Sequence, residues 1–449
     1  MIVVLALFSS ACLGGGGEAE SNEVTVFSSF TADEEQRFRE AFAAWEEETG
    51  NTVNYTGSSD FDTLVTTRVE GGDPPDIAIF PQPGVLLDLA GRGNMRPLGD
   101  AIDLAATEET LIPGFLDAVE QDGETWGVPM KMAVKSIVWY PTPAFEEAGY
   151  SVPETYEDLQ ALEEQIRSDG NVPWCLGMES GGATGWVATD WIEEFMLRVN
   201  GPEVYDQWVN HEIPFDDPQV VAAGEAFEEL WSTEGNVLGG AQGIINSAFG
   251  ESGNPMFDDP PGCFMHRQAN FITGFFPEDV QESLDDRVGT FYFPPITDGG
   301  FEGSPVLGGG DLAARIDTEN PAADEFLQFL ASAEFGGPWA EAGGYLSPHT
   351  TFDASLYPDE TTRNVYQLAA DADVFRFDAS DLMPGPVGAG SFWTQMVNWI
   401  NGQEDLETAL ANIEQSWPTS TGADSTATPT GTDTGTGTDT GTGTETATE

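Results

Sequence analysis

The chain has 449 residues, 40% of them hydrophobic, with 14 Lys and Arg against 78 Asp and Glu, a formal net charge of −64. That length exceeds a single hydrophobic core and requires two or more domains. The charge excludes nucleic acid and anionic membrane surfaces as partners, since both need stripes of Lys and Arg; a solvated acidic shell suited to high salt is favoured over a specific cationic partner.

The N-terminus opens on an apolar run, residues 1–8, of signal-peptide length and too short to span a bilayer. Ser9, Ser10 and Ala11 then precede Cys12, and a glycine run at residues 14–17 reads as a flexible tether. The pattern resembles a bacterial lipoprotein signal (residues 1–11) cleaved before a lipid-bearing Cys12 on a Gly/Glu tether (residues 12–23), rather than an ordinary secretory signal with a stray cysteine. Cys175 and Cys263 are then left as an even pair. In an exported chain such a pair suggests one disulfide, with two buried free thiols as the alternative that spacing alone leaves open.

From residue 23 strands and helices alternate. "EVTVFSSF" predicts a strand. "ADEEQRFREAFAAWEEETG" predicts a helix, with Phe38, Phe42 and Trp45 on one face and Gly50 as its stop. "TVNYTGSS" predicts a strand, "FDTLVTTRVEGG" a helix and "PDIAIF" a third strand. This order predicts a parallel α/β sheet with right-handed crossovers. The loops after the strands, "SSFT", "TGSSD" and "FPQPG", fall on one edge, where such sheets bind ligands. Their Ser, Thr, Asp and Gln side chains suit a polyhydroxylated solute.

Residues 128–141, "VPMKMAVKSIVWYP", hold both lysines of the chain. Read as a strand, the stretch puts Lys131, Ala133, Lys135, Ile137 and Trp139 on one face. "TYEDLQALEEQIRSDG", "ATDWIEEFMLRVNG" and "QVVAAGEAFEELWSTEG" predict helices, "RVGTFYFPPI" a strand, and "PAADEFLQFLAS" and residues 391–417 further helices. "LGGGDL" (residues 307–312) reads as close backbone approach rather than nucleotide binding. Residues 418–449 lack aromatic and large aliphatic side chains and are expected to be a disordered Thr/Gly/Asp-rich tail. No phosphate loop, nucleophile elbow or zinc motif occurs, His211, His266 and His349 are far apart, and no metal or cofactor is expected. With 78 carboxylates, a glycosidase dyad is not excluded by counting.

Two stretches carry a family resemblance. "EGGDPPDIAIF" is similar to the Gly-x-Pro-Asp strand entry of family 1 extracellular solute-binding proteins, and residues 122–159 to that family's crossover strand, Trp-Tyr motif and following helix. "PWCLGMESGGATGWVATDWIE" with "GNPMFDDPPGCFMHRQANFI" resembles the α-glucoside-binding subgroup of ABC importer subunits. The resemblance covers most of residues 24–417. It implies an α/β, two-lobed periplasmic-binding-protein-like fold, each lobe a mainly parallel sheet flanked by helices, joined by a crossing-strand hinge. The implied lobes are 24–130 with 288–335, and 131–287 with 336–417, with a Cys175–Cys263 bond inside the second. It further implies a monomeric, non-enzymatic receptor that passes a sugar to an ABC permease and its ATPase and meets the membrane only through its lipid. The alternatives are a secreted glycoside hydrolase, and the same fold binding a cationic or peptide solute.

Site expectations follow from both readings. From the first lobe come Ser29, Thr31, Asp60 and Gln82, at strand ends or helix starts. Lys135 stands evenly between donating to a sugar and pairing with a carboxylate across the hinge; Lys131 leans to the structural pair. Trp186, placed on a loop by Gly181, Gly182 and Gly185, is expected to stack on a pyranose, and Tyr140 is a second aromatic candidate. Thr184 and Asp190 flank Trp186; Asp190 could equally cap a helix. "HRQANF" supplies Gln268 and Asn270, with His266 structural. Asp311 follows the glycines and could bind hydroxyls or cap a helix over "LAARI". Tyr345 is the weakest aromatic candidate.

Overall fold

A computed structural model describes residues 22–418, except 113, 114, 371 and 373. The signal, Cys12 and the tail from residue 419 lie outside the described residues. Apolar strands come first: β1 (Glu23–Ser28), β2 (Thr52–Gly57) and β3 (Ile77–Phe80). Both β2 and β3 pair with β1 in parallel. The connecting helix Ala32–Thr49 buries Phe38, Ala41, Phe42 and Trp45, spaced to form one stripe. Asp33, Glu34 and Glu35 in its first turn complement the helix dipole. Gly50, at φ 74°, ends it in the left-handed region that a side chain disfavours.

After a small hairpin of β4 (Glu120–Gln121) and β5 (Glu124–Thr125) come β6 (Gly127–Val134) and β7 (Ile137–Pro141). The remaining strands are β8 (Trp174–Cys175), β9 (Met265–Arg267), β10 (Val288–Tyr292), β11 (Val306–Arg315) and β12 (Phe375–Phe377). One sheet runs β12-β11-β3-β1-β2, with β6 also paired to β11; the other runs β10-β7-β9-β8. These two sheets with their helices make the two-lobed α/β fold, but the second sheet, expected to be mainly parallel, is mainly antiparallel: β7 runs antiparallel to β10 and β9, and only β8 and β9 are parallel.

The chain crosses between sheets at Lys135–Ser136, between Tyr292 and Val306, and just after β12. The stretch read as one strand is therefore two, and the shared face of the lysines ends at the crossing. β10, expected in the first lobe, pairs in the second sheet, and β12, expected in the second lobe, pairs in the first. Both expected boundaries came from the family resemblance, whereas the pairing partners of these strands are set across hundreds of residues. The glycines of β11 allow the close approach anticipated: a Cβ on Gly310 would overlap the Lys131 carbonyl, and one on Gly308 the Phe375 ring. Cys175 and Cys263 are disulfide-bonded, with Cα atoms 5.5 Å apart.

Candidate functional site

Between the sheets lies a cleft of about 280 Å³, bordered on one side by the loops after β1, β2 and β3 through Ser29, Thr31, Ser59 and Gln82. The first loop is held from beneath: the Tyr55 hydroxyl donates to the Phe30 carbonyl at 2.7 Å and lies 2.6 Å from Ser28 Oγ. The floor is Lys131, Ala133 and Lys135, with Gly309, Gly310 and Asp311 of β11 beside them. Facing them are Ser180, Trp186 and Asp190, and an aromatic group of Phe249, Phe271, Phe275 and Trp393. Trp186 is the first residue of the helix Trp186–Val199, not part of a loop. Its indole N–H donates to Ser180 Oγ at 2.9 Å, and its ring meets Phe249 with centroids 5.3 Å apart. A ring fixed at both edge and face keeps little rotamer freedom to lose on binding.

Each lysine is paired within the protein. Lys131 Nζ donates to Glu34 Oε1 at 2.6 Å and lies 3.3 Å from Asp311 Oδ2. It also sits 5.0 Å from the ring centres of both Phe30 and Trp339. Burial acts to discharge it, but Glu34 and Asp311 outweigh burial and raise its pKa. Lys135 Nζ donates to Asp190 Oδ1 at 2.8 Å and to Asp378, and is held charged by Asp190, Asp378 and Asp381 against the pull of burial. Asp378 begins just after β12 and its N–H donates to Gly308 O at 2.8 Å. The structural reading of the two lysines is the one the geometry supports, and both nonetheless line the cleft.

Seven of the expected residues therefore converge on the cleft: Ser29, Thr31, Gln82, Lys135, Trp186, Asp190 and Asp311. The helix-cap alternatives for Asp190 and Asp311 fail, because Asp190 lies inside a helix and Asp311 inside a strand. Six residues lie off its lining. Asp60 accepts from the Gly182 N–H at 3.3 Å, and Thr184 closes its own loop by donating to Gly181 O at 2.8 Å. Tyr140 packs on Phe145 and Phe291. Gln268 Oε1 accepts from the Ala269 N–H, and Asn270 Oδ1 from the Val134 N–H, both at 2.8 Å. Tyr345 is buried and donates to Met130 O at 3.0 Å. For Gln268, Asn270 and Tyr345, buried backbone groups claim the polar atoms first. His266 is structural as expected: its Nδ1 lies 2.9 Å from Cys175 O, and burial pulls its pKa down to about 4. The reading from sequence missed Glu34, Asp62, Phe249, Phe271, Phe275, Ser380, Asp381 and Trp393. The one usable signal was the aromatic density of "NFITGFF" directly after the flagged "HRQA".

Residues 31–336 match the model of the bacterial extracellular solute-binding protein family. The chain belongs to that family. This solute-binding protein is 40% identical to the osmoprotective compounds-binding protein GgtB of Synechocystis sp. over 93% of the chain and 98% of that protein. It is 38% identical to the alpha-glucosides-binding periplasmic protein AglE of Rhizobium meliloti over 90% of the chain and 88% of that protein. Among solved structures, a chitin oligosaccharide binding protein superposes with a TM-score of 0.75 at 18% identity, covering 88% of this chain and 98% of that one. The maltose-bound MalE3 of T. maritima gives 0.69 at 18%, covering 88% and 98%. At such identity the structures attest the fold, and the fold is the one expected from sequence. The solute-binding protein serves an ABC importer from outside the cytoplasm, with the permease as its partner.

Proposed function

We propose that this solute-binding protein captures a neutral oligosaccharide, an α-glucoside, in the cleft between two closing lobes and releases it to the permease without covalent chemistry. The observation that carries this reading is the division of labour in the cleft. Its two ammonium groups are occupied by the protein's own carboxylates. What is left for a ligand is aromatic surface from Trp186, Trp393 and the phenylalanines, interleaved with hydroxyl, amide and carboxyl groups. C–H faces of a sugar pack on such rings while its hydroxyls bond to the polar groups. A cationic solute would find the seats at Glu34 with Asp311, and at Asp190 with Asp378, already taken. The alpha-glucosides named for AglE point the same way.

In this reading Trp186 stacks on a pyranose while Ser29, Thr31, Gln82 and Asp311 take hydroxyls. Ligand favours the closed state and pulls the open–closed equilibrium toward it. The chain works as a monomer tethered through lipid on Cys12. The test is calorimetry in high salt with trehalose, sucrose, maltose and a longer maltodextrin, paired with solution scattering. Saturable binding without hydrolysis, accompanied by a smaller radius of gyration, is expected. Absence of heat with every sugar would retire the α-glucoside reading, and slow hydrolysis would replace the receptor with a glycosidase.

A further inference from the structure

Behind Lys135 the protein buries more acid than one lysine balances. Asp190 and Glu193 come from the helix Trp186–Val199, and Asp378 and Asp381 from the turn after β12; all four are buried. Among the described residues the cation bonded within this group is Lys135, paired with Asp190 and Asp378. Arg267 also favours the charged form of Asp190, but Arg198 and Arg267 are both bonded to Glu194, at 2.5 and 2.8 Å. Counted together, five buried carboxylates face three cations. The neighbouring elements add no further positive charge toward the cluster. Asp88 accepts from the Gly385 N–H, Arg376 is paired with Asp206, and the Tyr205 hydroxyl donates to Phe377 O. Across the cleft stand Glu34, Asp62 and Asp311, and Lys131 is held by two of them.

Uncompensated buried charge is costly enough that such groups neutralise. Glu193 has a built partner on one side only: Oε1 accepts from the Ser380 N–H at 2.9 Å, while Oε2 is buried without a partner. Asp381 reaches the cleft, as does Asp190, but Asp190 is bonded to Lys135. The Oδ2 of Asp381 and the Oδ2 of Asp378 both lie over Gly309, about where a Cβ on that glycine would sit 4.0 and 3.7 Å from them. The Asp381 N–H donates to Asp378 Oδ1 at 3.2 Å, and neighbouring buried carboxyl groups share a proton more readily than they hold two charges.

We propose that Asp381 is a further ligand-contacting residue, and that it meets the solute as a carboxylic acid whose proton is retained by the surplus of buried carboxylates around Lys135. Burial, and then the charge of Asp378, lifts the Asp381 carboxyl well above the ordinary range, against the opposition of Lys135. Glu193 is lifted for the same reasons. A neutral acid donates a hydrogen bond to a sugar oxygen, which a carboxylate cannot do. It also spares a neutral ligand the desolvation of an anion. The inference rests on the sugar-binding reading above.

The experiment is calorimetry of the whole protein with the disaccharide that binds best, at constant high salt, from about pH 6 to about pH 10. Affinity should weaken by about tenfold per pH unit once the proton is lost. Asp381→Asn should show a flat profile whatever its affinity, and Glu193→Gln should move the wild-type midpoint to lower pH by removing a neighbour that turns negative as pH rises. Wild type and Asp381→Asn profiles that run parallel overturn the proposal. So does a thermal shift produced by calcium and abolished by chelator, which would assign the surplus charge to a bound cation. If no sugar binds at any pH, the sugar reading fails and the proton is read from unfolding instead. The folded acid then binds the proton more tightly than the unfolded one, so wild type should lose thermal stability relative to Asp381→Asn as pH rises, and equal slopes overturn the inference.

Discussion

Lys131 and Lys135 are the only ammonium side chains in the sequence, and each anchors carboxylates drawn from distant segments. In Lys135→Met the buried acids lose the cation bonded among them. The expected cost is about 3–5 kcal/mol, read by chemical denaturation in high salt, because the partners left behind remain buried. Trp186 plays the opposite part, lining the cleft with its ring held against Phe249. Trp186→Ala should weaken sugar binding by roughly 2 kcal/mol, about thirtyfold in Kd, while circular dichroism stays unchanged. His266 supplies a pH signature. Its folded pKa of about 4 lies below the ordinary 6.5, so it stays neutral in the folded state while the unfolded chain takes up a proton. The stability it confers is present above about pH 6.5 and is lost as pH falls toward 4. Measured against His266→Gln, wild type should lose roughly 3 kcal/mol across that window.

Among the elements, β11 is the one on which the cleft depends most directly. It pairs antiparallel with β6 and β3 and parallel with β12, and it carries Asp311 beside Lys131. Gly308 and Gly310 are required by the backbone they face, the Ala133 and Lys131 carbonyls, rather than by any turn. In Gly310→Ala the new methyl group meets the Lys131 carbonyl, so β6 and β11 must part. A loss of about 2 kcal/mol or more in unfolding free energy is expected, together with weaker sugar binding as Lys131 and Asp311 shift. The crossings beside β6 and β11 are tied to each other: the Leu307 N–H donates to Ser136 Oγ at 2.8 Å, and Ser136 Oγ donates to Glu194 Oε2 at 2.8 Å. That network gives the crossing strands a defined geometry about which lobes can move.

For the whole molecule the governing quantity is the net charge of −64. The acidic surface repels itself, and salt screens that repulsion over a Debye length of about 10 Å at 0.1 M, shorter at higher salt. Thermal unfolding should shift upward as sodium chloride is raised from about 0.1 M toward molar concentrations. The dissociation constant for a neutral sugar, measured where the protein is folded, should change little over the same range. A steep salt dependence of that constant would instead mark a charged ligand.

The parallel order of β1, β2 and β3 was legible because each strand is a short apolar run closed by a loop, with an amphipathic helix between. That periodicity also placed Ser29, Thr31 and Gln82 on the correct edge of the sheet. The lysines were legible by rarity alone. Other members of the site were not. Gln268, Asn270 and Tyr345 looked like ligand-facing groups, but buried N–H and C=O groups nearby took their hydrogen bonds. Asp381 and Trp393 carry no local mark, since they follow β12 and reach the cleft only because the chain crosses back there. The sequence by itself determined the α/β class and the first wall of the cleft through short-range periodicity, and the two-lobed arrangement through family resemblance. The tertiary structure alone decided which acids surround Lys135, because Asp190 and Asp378, 188 residues apart, meet only when the helix Trp186–Val199 and the turn after β12 pack together.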